Sequence, residues 1–251
     1  MSYTKVKTPE EIENMRIAGK MLATVLQYVK EKATSGMSTK DLDNLAATKL
    51  KTLGGAPSFL NYNGFPAVLC VSVNDEVVHG VPSAGKILEN GDIVSIDFGV
   101  TFKGMVTDAA LTFAVGQVEP NIAKLISTTE RSLMAGIDML KAGIRVGDIA
   151  SAIQKVLDPG GYGIVRDLVG HGVGHELHED PNIPNYGHAG SGPVLQAGMT
   201  IAIEPMATLG GWQVTMDDDN WTIRTKDHSL AAHFEHTILI TGKGYEILTQ
   251  L

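Results

Sequence analysis

One cysteine, Cys70, is present among 251 residues. That excludes an internal disulfide and a cysteine-based zinc finger, and it suits a reducing cytoplasm. Basic residues are also scarce, 20 Lys and Arg against 28 Asp and Glu, for a formal charge of −8. Phosphate binding needs a basic face, so no nucleic-acid specificity is expected. No apolar run approaches a membrane span, and residues 1–11 lack the apolar region of a signal peptide. Low-complexity stretches and Ser/Gly linkers are missing too. What is there is an ordinary globular balance, 43% hydrophobic and 19% charged, sized for a single domain over 1–251. The acid excess hints that some carboxylates are held together by metal ions.

Thr8-Pro9-Glu10-Glu11 opens a helix, with Thr8 as cap and Glu11 three residues later. Ile12, Met15, Ala18, Leu22, Val25, Leu26 and Val29 follow at helical period. Gly36 ends that unit, and Ser38 to Asp41 opens a second helix that stops at Gly54-Gly55. Two more helical patterns lie near 119–141 and 147–157. Strand-like runs are expected at 67–73, 92–100, 106–115, 164–169, 200–204, 213–216, 222–225 and 234–241. The order is duplicated: Gly36-Met37 with Asp41-Leu42 matches Gly143-Ile144 with Asp148-Ile149, an offset of 107. Gly91 to Asp97 matches Gly198 to Glu204 at the same offset, so a carboxylate closes each matched strand. An α+β fold of two pseudo-symmetric halves sharing one site is expected.

The runs either side of Phe102-Lys103-Gly104 predict a hairpin. Centred between 102 and 103, it would set Asp97 directly opposite Asp108. Alternation puts Val94, Ile96, Phe98, Leu111, Phe113 and Val115 on the core face and both aspartates on the other. Two opposed carboxylates lie roughly 5 Å apart at Cβ and repel unless a cation intervenes. A pair of metal ions about 3.5–4 Å apart would meet that need. Glu204 and Glu235 sit in otherwise apolar strands, where acids are rarely buried unless paired or metal-bound. His171 lies in Val169-Gly-His-Gly-Val-Gly174, whose glycines exclude a helix and let backbone approach a site. Four carboxylates balance two divalent ions. Carboxylate and imidazole donors without thiolate suit Mn, Fe(II), Co, Ni or Zn. Two other motifs fall away: His175-Glu-Leu-His178 is one residue short of the zinc-protease helix, and Gly170-His-Gly-Val-Gly174 lacks the dinucleotide spacing.

These residues resemble the methionine aminopeptidase type I family, whose pita-bread fold is shared with prolidase and creatinase. The segment Gly170-His-Gly-Val-Gly-His-Glu-Leu-His-Glu-Asp-Pro-Asn-Ile-Pro-Asn-Tyr-Gly187 is similar to the family signature, and Asn61-Tyr-Asn-Gly-Phe-Pro66, Cys70 to Pro82, and Ile203-Glu-Pro205 match family segments. The resemblance implies a curved, mainly antiparallel sheet backed by helices. It implies five ligands: Asp108 and Glu235 bridging two metals, Asp97 completing one site, His171 and Glu204 the other. It makes Glu204 the proton shuttle, places His178 on the substrate carbonyl and His79 by the scissile amide, and surrounds the methionine side chain with Phe59, Tyr62, Phe65, Cys70, Leu177 and Trp221. Phe59, Phe65 and Leu177 stand where many relatives carry Cys, Tyr and Phe.

By the same resemblance the activity is removal of initiator methionine from nascent polypeptides whose second residue is small, by a cytoplasmic monomer with transient ribosome contact. The start Met1-Ser2 would itself qualify as substrate. Type II relatives carry an insertion of about 60 residues in the second half, a length that surface loops tolerate. The 33 positions from His171 to Glu204 and 31 from there to Glu235 leave no room for it. The alternatives are a proline-directed aminopeptidase of the same fold and a non-catalytic binding protein.

Overall fold

The computed structural model describes residues 6–251, so the Met1-Ser2 start lies outside it. Helix α1 (Pro9–Lys32) begins with the expected reciprocal cap: the Thr8 hydroxyl accepts from the Glu11 N–H, and the Glu11 carboxylate accepts from the Thr8 N–H at 2.8 Å. Its buried stripe runs through Met15, Ala18, Leu22, Val25, Leu26 and Val29. Ser38 and Asp41 cap α2 (Thr39–Leu53) in the same way, and left-handed Gly54 ends it. The first half continues through β1 (Ala56–Pro57), β2 (Cys70–Val73), β3 (Glu76–Val78), β4 (Ile93–Phe102) and β5 (Met105–Ala114). The second half again places helices first, α3 (Pro120–Ile137) and α4 (Val146–Leu157). Its strands are β6 (Gly163–Ile164), β7 (Gly170–Gly172), β8 (Glu179–Ile183), β9 (Thr200–Ile203), β10 (Met206–Thr208), β11 (Val214–Met216), β12 (Ile223–Thr225), β13 (Ala231–His233), β14 (His236–Ile240) and β15 (Tyr245–Ile247). The run expected at 164–169 is a strand only at its start. Val165 still donates to Met206 O, and then exposed Arg166 and Asp167 leave the ladder.

The duplication is written in the hydrogen bonds. Gly36 N–H donates to Leu88 O and Leu88 N–H returns to Met37 O, both at 2.8 Å. Gly143, Leu195 and Ile144 repeat both bonds at 2.8 Å, every partner 107 positions later. The Ser38–Ile87 bridge has its counterpart in Arg145–Val194, and β4 and β9 start at Ile93 and Thr200, again 107 apart. In each half two helices cover one face of antiparallel strands. Leu22, Val25, Leu42 and Leu50 pack on Val94, Ile96, Phe98 and Phe113. Leu133, Ile149 and Ile153 pack on Ile201, Ile203 and Ile238. The architecture is α+β.

The β4–β5 hairpin turns one residue later than its spacing implied. Lys103 and Gly104 both take positive φ, 48° and 79°, giving a two-residue turn closed by Phe102 against Met105. Phe102 has strand propensity and stays in the ladder, while Gly104 readily supplies one of the two left-handed positions. Asp97 therefore faces Ala110 and Asp108 faces Gly99. The two aspartates are diagonal neighbours, not direct partners. Moving the centre by one residue shifts each partner by two, which preserves parity, so both still stand on the face opposite Phe98 and Phe113.

Candidate metal centre

The first half delivers one wall. Asn61 and Asn63 accept left-handed backbone at φ 65° and 48°, folding the loop so that Tyr62 N–H reaches Phe59 O and Phe65 N–H reaches Tyr62 O, both at 2.9 Å. Phe59, Tyr62 and Phe65 come from this loop. Cys70 in β2 lies directly across from Asp97. His79 also has positive φ, 58°. Its neighbour Gly80 is pinned on both sides, accepting from Val71 N–H at 2.9 Å and donating to Ser72 Oγ at 3.1 Å.

The second half delivers the other wall. His171 in β7 pairs with Ala202 of β9, and Glu204 follows one residue after that strand. His171 Nδ1 lies 2.8 Å from Gly172 O; a carbonyl only accepts, so Nδ1 carries the proton and Nε2 is left as a lone-pair donor. Nε2 is 3.6 Å from Glu204 Oε1. Glu235 enters through its backbone: its N–H donates to Ala110 O at 2.9 Å and its carbonyl accepts from Ala110 N–H at 3.3 Å. The Thr237 hydroxyl binds Asp108 O at 2.7 Å and accepts from Asp108 N–H at 2.9 Å. The two halves are thus joined at the carboxylates. The loop after β7 brings Leu177 and His178, with His178 Nδ1 2.8 Å from the Tyr62 hydroxyl. Asp219 caps the turn that presents Trp221, accepting from the N–H groups of Trp221 and Thr222 at 2.9 and 2.8 Å. Trp221 meets Phe65 edge to face at 5.1 Å.

All thirteen residues singled out from the sequence line one cavity of about 90 Å³. Asp108, His171 and Glu235 each bring a ligand atom within 4.8 Å of the others. Asp97 Oδ1, Asp108 Oδ1 and Glu235 Oε1 are buried with no hydrogen-bond partner in the protein. Burial pushes the Asp108 carboxyl up to about 7. Asp97, Glu204 and Glu235 are raised well above the usual range, by burial first and then by the Asp108 charge. Burial pushes His171 down to about 3 and His79 to about 4, so both imidazoles are neutral at pH 7. Crowded carboxylates with orphaned oxygens beside a neutral imidazole are a donor set suited to divalent cations.

The sequence reading assigned no role to His233. It is 1% exposed, with Nε2 3.6 Å from Glu204 Oε2 and no hydrogen bond to either ring nitrogen. A signal existed: in His233-Phe-Glu235, alternation sets the imidazole on the same side as the carboxylate.

The model of metallopeptidase family M24 matches residues 13–242. The chain belongs to metallopeptidase family M24. Within M24, it is 47% identical over 244 residues to a methionine aminopeptidase of Clostridium acetobutylicum, covering 97% of this chain and 98% of that protein. It is 46% identical to methionine aminopeptidase 1 of Bacillus subtilis, with 98% of both covered. The crystal structure of a methionine aminopeptidase from Thermotoga maritima superposes with a TM-score of 0.97 at 47% identity, covering 100% of both chains. A prolidase from Pyrococcus furiosus gives 0.79 at 25% identity, covering 99% of this chain and 66% of that one. The fold of this M24 chain is therefore the pita-bread fold.

Proposed function

We propose that this protein is a methionine aminopeptidase of type I, which removes the initiator methionine from nascent polypeptides when the next residue is small. One observation carries the reading: the carboxylate and imidazole cluster shares a single cavity with an aromatic and aliphatic pocket, in a chain related to methionine aminopeptidases along nearly its whole length. Asp97, Asp108, His171, Glu204 and Glu235 are the residues that would hold two divalent ions. Mn, Fe(II), Co, Ni and Zn all suit these donors. When bound, the ions would supply an acidified water and polarise a carbonyl.

The chain's own groups do the rest. Phe59, Phe65, Cys70, Leu177 and Trp221 enclose the flexible thioether side chain. The free amino group docks at the Asp97 end, which restricts removal to one residue. Glu204 takes the proton from the attacking water and passes it to the leaving amine. With the Tyr62 hydroxyl donating to Nδ1, His178 carries its proton on Nε2 and donates it to the carbonyl oxygen as negative charge develops there. His79, neutral through its burial, bonds at the scissile amide. We read the protein as a cytoplasmic monomer that meets its substrates as they emerge, with transient ribosome contact; no helix among the described residues is long and apolar enough to cross a membrane. Hydrolysis of Met-Gly-Met but not of an Xaa-Pro peptide is the expected result, and the reverse preference would overturn the assignment.

A further inference from the structure

A buried ionic cluster outside the reacting groups joins the start of the chain to the loop that carries Leu177 and His178. Lys7 Nζ lies 2.6 Å from Glu179 Oε2, with the lysine side chain fully buried and that of Glu179 8% exposed. The lysine stem crosses Gly174, where a Cβ would come within 2.3 Å of Lys7 Cε. Lys7 is itself fixed by its N–H, which donates to Gly198 O at 2.8 Å. The other oxygen of Glu179 accepts from the N–H groups of His175 and Glu176 at 2.6 and 3.2 Å. On the outer side, His175 Nε2 lies 2.8 Å from Glu11 Oε1; a carboxylate oxygen only accepts, so Nε2 donates. Glu11 spends its second oxygen on the Thr8 N–H of the α1 cap. Those bonds hold its carboxyl down at about 2, the Thr8 N–H first and His175 next, so it is charged at any working pH.

We propose that His175 is a positioning residue, tethering the 174–179 loop to the cap of α1 so that Leu177 and His178 keep their places against the substrate. The proposal rests on the aminopeptidase reading. Lys7, Glu11, His175 and Glu179 do not line the cavity, so their influence is on position. The loop's inner end is secured independently, by Val106 N–H donating to Gly174 O at 2.7 Å. Its outer end, where Leu177 and His178 stand, is held by Glu179, by the His175–Glu11 contact and by the Tyr62 hydroxyl on His178 Nδ1. Leu177 faces the methionine side chain and His178 the carbonyl, so loosening this end should change both KM and kcat. Misplacing such groups by an ångström costs up to about a hundredfold in rate.

The test uses His175→Ala, which removes the ring and leaves the backbone bonds to Glu179. Amide hydrogen exchange at residues 174–179 should quicken about tenfold. On Met-Gly-Met, kcat/KM should fall about tenfold or more, with KM raised as well as kcat lowered and metal content unchanged. A merely structural defect would shrink the active fraction and leave KM alone. His175→Gln, which keeps a side-chain N–H for Glu11, should restore both constants. Glu11→Ala, which also gives up the bond to the Thr8 N–H, should quicken exchange in the 174–179 loop and raise KM as His175→Ala does. In these readouts the double variant should be no worse than the more affected single variant. Unchanged exchange overturns the proposal, and so does faster exchange with wild-type KM and kcat. If the wild-type protein cleaves no methionyl peptide, the aminopeptidase reading fails, and exchange alone judges the tether.

Discussion

Asp108 and Glu235 reach the same cavity from opposite halves of the chain, because Ala110 and Glu235 exchange both backbone hydrogen bonds while Thr237 holds Asp108 by its backbone. These two proposed metal ligands are therefore anchored where the halves meet. Their spacing is set by strand pairing, not by flexible loops, which is the rigidity a metal site needs.

Asp108→Ala removes one such anchor. Turnover should be abolished and metal binding greatly weakened, measured as metal retained per chain after gel filtration. Near-normal activity in the metal-replete variant would show that Asp108 is no ligand.

His178→Ala addresses catalysis apart from binding. Loss of one polarising donor should lower kcat by roughly 10²–10³-fold with metal content unchanged. Loss of metal together with activity would place His178 among the ligands.

Trp221 should act on substrate affinity. Trp221→Ala should raise KM for methionyl peptides about tenfold, the scale of losing an aromatic contact, with a smaller change in kcat. Asp219→Ala should do the same in weaker form, since Asp219 fixes the turn that presents the indole. Unaltered KM in both would exclude Trp221 from the methionine pocket.

The metal-free protein should lose stability as pH rises from about 6.5 through 7. Asp108, raised to about 7, and Asp97, Glu204 and Glu235, also raised by burial, keep protons in the folded state that the unfolded chain has already released. Folding then takes up protons, and stability falls with pH. His79, His171 and His233, all lowered by burial, act in the opposite sense but only below about 6.5, where the unfolded chain gains their protons. Thermal unfolding at pH 6.5, 7 and 7.5 should show Tm falling, less steeply in Asp108→Asn. Divalent metal should reverse the trend, because binding displaces those protons. A metal-free Tm that rises over this range would contradict the raised carboxyls.

Local signals served well where function lies within a few residues: the Thr8 and Ser38 caps, the buried stripe of α1, and the two faces of β4 and β5. The 107-residue repeat was legible because paired glycines and caps recur in order. Hairpin register was not, since a one-residue move of the turn preserves the alternation from which it was read; the choice lay in Lys103 accepting positive φ. The His175–Glu11 contact spans 164 positions and leaves no periodic trace. His233 carried a parity signal, but its approach to Glu204 depends on β13 pairing with β10, where Met206 lies directly across from His233.

The most direct measurement is a metal titration of the stripped protein, following Met-Gly-Met hydrolysis and bound metal together. Activity should vanish on stripping and return as Mn, Fe(II) or Co is added, reaching its maximum by about two ions per chain. Full activity in the stripped protein, or none at any loading of any of these metals, would contradict a metal-dependent aminopeptidase built on Asp97, Asp108, His171, Glu204 and Glu235.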